Sequence, residues 1–150
     1  MQQLWPYPVS ALRNRLNVKK AIIFTDGAAE PNPGPAAIGA IIKDEQGRLI
    51  ARISRRIGTT TNNQAEYRAI IAALEKAIEL GARHADIYSD SELVVKQING
   101  KYRVKKPTLK PLHQKVRQLL DNLEGFTVIH VPREQNAEAD NLANEALGTG

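Results

Sequence analysis

The chain has 150 residues, 42% of them apolar and 25% charged, which suits a single soluble domain with a real core. It has no cysteine, which excludes disulfides and thiolate metal sites, and no bilayer-spanning apolar run, and residues 1–20 lack the continuous apolar core of a signal peptide; a cytoplasmic protein without membrane contact is expected. Lysine and arginine outnumber aspartate and glutamate by 21 to 16, a net charge of +5 that fits a polyanionic partner and fits a merely soluble surface as well.

Residues 1–18 contain Trp5, Pro6, Tyr7 and Pro8 ahead of Leu12 and Leu16, and read as an N-terminal extension, partly disordered or a short helix laid on the domain. The domain itself is expected over residues 19–148. Residues 21–25 form an apolar strand ending at Asp26-Gly27, followed by the turn-rich EPNPGPAA. Residues 38–43 and 48–57 read as two further strands joined by the tight turn DEQG, which completes an antiparallel meander. A helix follows over residues 63–80, with Tyr67, Ile70, Ile71, Leu74 and Ile78 at helical spacing and Gly81 as its stop. Then come a strand (85–89), a short helix (91–99), a basic loop (101–106), a helix (109–123), a strand (126–131) and a last helix (136–147). The order βββαβααβα predicts a mixed α/β sheet with helices packed on it.

Four acidic residues stand at corresponding points of this pattern: Asp26, Glu66, Asp90 and Asp140. Each ends a strand-like run or lies in the first turn or so of a helix. Singly, each has an ordinary reading. Asp26-Gly27 suits a turn, Glu66 suits the reciprocal partner of an Asn63 N-cap, Asp90 suits a helix cap and Asp140 a helix surface. Together they suggest carboxylates converging at one sheet edge, which would repel unless hard divalent cations sat between them. Asn62, Asn63 and Gln64 put three amides beside a helix start, where hydroxyls, base edges and phosphates can be bound. Lys101, Arg103, Lys105, Lys106 and Lys110, with Tyr102 among them, form a basic stretch that suits phosphate tracking or a solvated loop. His84, His113 and His130 fall at element positions that do not suggest catalysis, and no zinc, P-loop or serine-hydrolase motif is present.

The segments FTDGAAEPNPGPAAIG, TTTNNQAEYRAIIAAL, IYSDSELVVKQINGKYRVKKP and HVPREQNAEADNLANEAL, in this order, resemble type 1 ribonuclease H in a compact form without its basic handle. The likeness covers about residues 20–147. It implies the ribonuclease H-like fold: a five-stranded mixed sheet, three N-terminal strands antiparallel, helices on both faces. It implies hydrolysis of the RNA strand of RNA/DNA hybrids with two Mg²⁺ ions, Mn²⁺ substituting, leaving 5′-phosphate and 3′-hydroxyl ends. The metal-binding quartet would be Asp26, Glu66, Asp90 and Asp140. Asp26 would bridge both ions, Glu66 and Asp90 would complete one site, and Asp140 would serve the other. Asn32, Asn62 and Asn63 would read 2′-hydroxyls and base edges, and Thr61 would contact a DNA phosphate.

Three departures stand out. Glu92 replaces a common Gln after Asp90-Ser91 and alters a substrate contact. Lys105 and Lys106, in the short stretch 101–110, stand in for the handle. The histidine-bearing loop is shortened to Pro132-Arg133-Glu134-Gln135, which leaves Arg133 as the compensating residue for phosphate contact or product release. A monomer is expected. The competing readings are a catalytically weak nucleic-acid-binding module of the same fold, a nuclease that also cuts double-stranded RNA, and a transposase- or resolvase-type nuclease.

Overall fold

The computed structural model describes residues 19–148. The extension expected over residues 1–18 lies outside them. The strands β1 (Lys20–Ala29), β2 (Gly34–Lys43) and β3 (Leu49–Thr60) form the antiparallel meander. They are followed by α1 (Asn62–Glu79), β4 (His84–Ser89), α2 (Glu92–Ile98), α3 (Lys110–Asp121) and β5 (Gly125–His130). A 3₁₀ turn (Arg133–Gln135) leads into α4 (Ala137–Leu147). The sheet order is β3-β2-β1-β4-β5, with β4 parallel to β1 and β5 parallel to β4. This is the expected five-stranded mixed sheet. Among the described residues no helix is long and apolar enough to cross a membrane.

The alternation along β2 shows how the layers form. Ile38, Ala40 and Ile42 are buried in one core with Tyr67, Ile70 and Leu74 of α1, Val94 and Ile98 of α2, and Val116 and Leu120 of α3. The intervening Gly39 faces α4 on the opposite side of the sheet, because successive side chains point to opposite faces. A Cβ on Gly39 would lie 2.2 Å from the Ala139 carbonyl oxygen, so a glycine there lets α4 sit directly on β2. The face of α4 toward the sheet is correspondingly small, with Ala139 and Ala143 fully buried.

α1 carries the expected stripe, but Ile71 and Ile78 are only partly buried. Ala65, Ala69, Ala73 and Ala77 recur every four residues and are buried instead, so α1 lies close to the sheet along an alanine seam. Two strands run longer than their apolar patterns suggested. β1 does not turn at Asp26-Gly27; its pairing with β2 continues from Asp26↔Gly39 to Ala29↔Ala36. β3 likewise reaches Thr60, past an irregularity near Gly58, where φ is +85°.

Candidate metal centre and nucleic-acid cleft

The parallel register of β1 and β4 ends at Thr25↔Ser89, so Asp26 and Asp90 are the next residues on adjacent strands. β1 is also the switch point, since its other neighbour β2 is antiparallel to it. Ligands of open α/β sheets bind at such a place. Glu66 arrives from α1. Its Oε1 accepts a hydrogen bond from the Gly27 amide at 2.8 Å, and its Oε2 accepts one from Ser89 Oγ at 3.2 Å. Gly27 makes this possible: a Cβ there would stand 2.2 Å from the Ala65 carbonyl carbon. One carboxylate oxygen each from Asp26, Glu66 and Asp90 thus lie within 4.8 Å of one another.

Asp26 and Glu66 are almost fully buried. Burial, followed by the charge of Asp90, pushes the Asp26 carboxyl up to about 7, against an opposing hydrogen bond with Glu66. Burial first, then the charge of Asp26, holds Glu66 well above the ordinary carboxyl range. Two like charges at this spacing repel by roughly 3 kcal/mol at an effective dielectric near 20. Hard oxygen donors, crowded and desolvated, fit divalent metal ions.

Asp140 borders the same cleft, but its charge is already partly countered. Arg133 Nη2 donates to its Oδ1 at 3.3 Å, and Asn144 Nδ2 donates to its Oδ2 at 3.4 Å. The Asp140 carboxylate raises the Arg133 guanidinium's pKa in turn. The cleft encloses about 410 Å³ and is also lined by Asn62 and Asn63. The structure therefore gathers Asp26, Glu66 and Asp90 tightly, with Asp140 and Arg133 as a paired rim.

The other expected residues fall into three groups. Asn62 and Asn63 are in the cleft, and Asn32 braces them: its Oδ1 accepts from the Asn62 amide at 3.0 Å, while Asn62 Oδ1 accepts from the Ala29 amide at 2.7 Å. Thr61 is the N-cap of α1, its hydroxyl accepting from the Gln64 amide at 3.2 Å. Glu92 is exposed and paired with Lys96 at 3.4 Å, and Lys105 and Lys106 line a separate groove that also contains Asn63. Two capping readings are corrected. Thr61, not Asn63, caps α1, which frees Glu66 for β1 and β4. Ser91, not Asp90, caps α2, accepting from the Val94 amide.

Three site residues were not anticipated. Ser89 was hidden because it reads as one more strand residue before Asp90. Asn144 was detectable as the residue one helical turn beyond Asp140. Asn136 is fully buried, and its Nδ2 donates to the Thr25 carbonyl at 2.8 Å, tying the start of α4 to the strand of Asp26. Only the tertiary fold shows that bond.

A family model described as "Reverse transcriptase-like" matches residues 24–146. The chain is 44% identical over 124 residues to ribonuclease HI of Halobacterium salinarum, covering 83% of this chain and 62% of that protein. It is 36% identical over 144 residues to ribonuclease H of Prosthecochloris aestuarii, covering 86% of this chain and 96% of that one. Among solved structures, LC11-RNase H1 in complex with an RNA/DNA hybrid superposes with a TM-score of 0.81 at 44% identity, over 85% of this chain and 96% of that chain. The chain thus spans less than two thirds of the Halobacterium protein but nearly all of the other two. Its fold, the clustered carboxylates and these likenesses together make it a member of the ribonuclease H family.

Proposed function

We propose that the chain is an endonuclease that hydrolyses the RNA strand of RNA/DNA hybrids, leaving 5′-phosphate and 3′-hydroxyl ends. The observation that carries this is the trio of carboxylate oxygens within 4.8 Å in a cleft rimmed by Asn62 and Asn63. The cofactor is two Mg²⁺ ions, with Mn²⁺ as substitute, held by Asp26, Glu66, Asp90 and Asp140. Bound there, they neutralise the carboxylates and supply Lewis acidity at the scissile phosphate.

The chain's own residues prepare the rest. Gly27 and Ser89 fix both oxygens of Glu66, so this ligand is oriented before substrate arrives. Asn62 uses its carboxamide oxygen on Ala29, which leaves its NH₂ as the donor for a 2′-hydroxyl or base edge. Asn63 shares that cleft, Asn32 holds the Asn62 backbone, and Thr61 at the helix start suits a DNA phosphate. Glu92 lies outside the carboxylate cleft, so its part is at most a peripheral substrate contact.

Arg133 stands at the open rim of the cleft. Its side chain is 77% exposed and its bond to Asp140 is long at 3.3 Å, so it can exchange the carboxylate for a phosphate. Arg133→Ala is expected to lower kcat several-fold while the Mg²⁺ concentration at half-maximal activity moves little. Steady-state kinetics with titrated metal check this, and an unchanged kcat would remove Arg133 from the reaction.

The deciding experiment compares matched RNA/DNA, RNA/RNA and DNA/DNA duplexes with Mg²⁺, Mn²⁺ or EDTA. Cleavage of the hybrid's RNA strand alone, lost in EDTA, is expected. Weaker cutting of RNA/RNA fits the shared A-form shape. Binding without cleavage under every metal condition would identify a binding module, and cleavage of DNA/DNA would point to a transposase-type nuclease. Asn62→Ala is expected to raise KM for the hybrid about tenfold, the worth of one lost hydrogen bond to a charged or polar partner. Chromatography with light scattering tests the expected monomer.

A further inference from the structure

We propose that the half of the sheet face left open beside α4 is the seat of the chain's own N-terminal segment, residues 4–16. Side chains alternate between the two faces of a sheet. Ala85, Ile87 and Val128 point into the core shared with α1, α2 and α3. The residues between them point the other way, and the register lines them up: Ile22 beside Asp86, Phe24 beside Tyr88, and Tyr88 in turn beside Ile129. On this side α4 packs on β1, β2 and β3. Among the described residues no helix packs over β4 and β5 there. Ile22, Phe24, Tyr88 and Ile129 are consequently only partly buried, although the Phe24 and Tyr88 rings stack with their centres 4.7 Å apart. A depression of about 200 Å³, bordered by Phe24, Glu134 and Glu138, deepens the seam between this open half and α4.

The chain itself supplies the occupant. β1 begins at Lys20, and the Lys19 carbonyl accepts from the Arg83 and His84 amides at 2.9 and 3.0 Å. The chain therefore enters the sheet at the foot of this face, between β1 and β4. At about 3.3 Å per residue Phe24 lies roughly 16 Å from Lys19, so about five residues span that distance and the rest of the segment is left to lie on the face. The segment carries Leu4, Trp5, Tyr7, Val9, Leu12 and Leu16, and its only charged side chains are Arg13 and Arg15. Its apolar residues match the face, and its two cations match the carboxylates at the margin: Glu134, Glu138 and Asp86, the last already 3.2 Å from Lys20. Covalent attachment presents the segment to its seat at an effective concentration of about millimolar, which a separate partner would have to exceed.

Trp5 is the only tryptophan of the chain, so its fluorescence reports the segment alone. In the full chain its emission is expected at shorter wavelength than in the urea-unfolded protein, and shielded from acrylamide. Ile129→Lys puts a charge on the face and should return both readings to the unfolded values while far-ultraviolet dichroism stays native. Trp5→Ser should lower the melting temperature by about 5 °C, and the losses from the two substitutions should not add when they are combined. Trp5→Ser changes nothing within residues 19–148, so its result stands even if Ile129→Lys unfolds the domain. Solvent-like emission in the wild type, an unchanged melting temperature in Trp5→Ser, or shielded emission persisting in a folded Ile129→Lys would overturn the proposal. Emission that moves to longer wavelength on dilution, as light scattering reports a dimer dissociating, would seat a second copy on the face instead. A shift on adding RNA/DNA hybrid in EDTA would make the segment a nucleic-acid contact and be equally fatal.

Discussion

Asp26→Asn is expected to reduce Mg²⁺-dependent hybrid cleavage by at least about a thousandfold and, in the same protein, to raise the melting temperature of the metal-free form at pH 8. The two effects have one origin. Asp26 is held at 5% exposure beside Asp90 and Glu66, and its carboxyl is raised from 3.8 to about 7. A carboxyl whose folded pKa is raised favours the fold fully below the unfolded value and loses that contribution as pH rises through the folded one. The metal-free protein should therefore be most stable on the acid side of pH 4 with respect to this group, and should weaken between pH 4 and 7. Asparagine has no charge to bury, so at pH 8 it should recover on the order of 1–4 kcal/mol. Melting curves at pH 5 and pH 8, with and without Mg²⁺, check the result. Wild type should gain more stability from Mg²⁺ than the variant does. A variant no more stable than wild type at pH 8 without metal would show that the buried carboxyl is not the cost inferred.

Gly27→Ala is expected to cost at least about 3 kcal/mol of stability and most of the activity. The added methyl would meet the Ala65 carbonyl carbon and oxygen at 2.2 Å and the Glu66 amide at 2.5 Å, all of them backbone. No side-chain rotation relieves that contact, so α1 must retreat from β1. Its retreat would break the bond from the Gly27 amide to Glu66 and draw one carboxylate away from the other two. Gly58→Ala is the control. Nothing lies within 4 Å of its added Cβ, but φ is +85°, so it should cost only about 1 kcal/mol and leave kcat intact. Urea denaturation and steady-state kinetics on both variants separate the contact from the strain. Equal behaviour of the two would mean that the close approach of α1 does not organise the site.

The acidic residues were legible because local pattern and chemistry agree at each of them. Asp90 follows a clear apolar strand, and Asp140 follows a helix start, so element order alone suggested their common edge. The ordinary local readings weighed beside these, a capping partner at Glu66 and a turn at Asp26-Gly27, do not hold. A helix-start Glu behind Asn63 has a local partner available, and an Asp-Gly pair has a local turn available. In the structure both residues serve long-range contacts, between segments 39 residues apart, for which local pattern has no sign. Gly39 and the alanine seam of α1 escaped for a related reason. Small residues look neutral in a periodicity count, yet their lack of volume sets how closely α4 and α1 approach the sheet. The pairing of Arg133 with Asp140 falls between these cases: Arg133 was identified as a site residue, while its partner depended on the 3₁₀ turn that faces it toward α4.

The buried bond from Asn136 to the Thr25 carbonyl joins residues 111 positions apart. Every strand of the sheet, and with them Asp26, Glu66 and Asp90, lies upstream of that asparagine. During synthesis the five strands and three carboxylates leave the ribosome before the last helix does. Until α4 settles over Gly39, one face of β2 stays wet and Asp140 has no fixed place. α4 is thus the element of the domain that completes the cluster. The protein can acquire its sheet, its core and most of its charge cluster early, but its complete active constellation only when synthesis of the domain is finished.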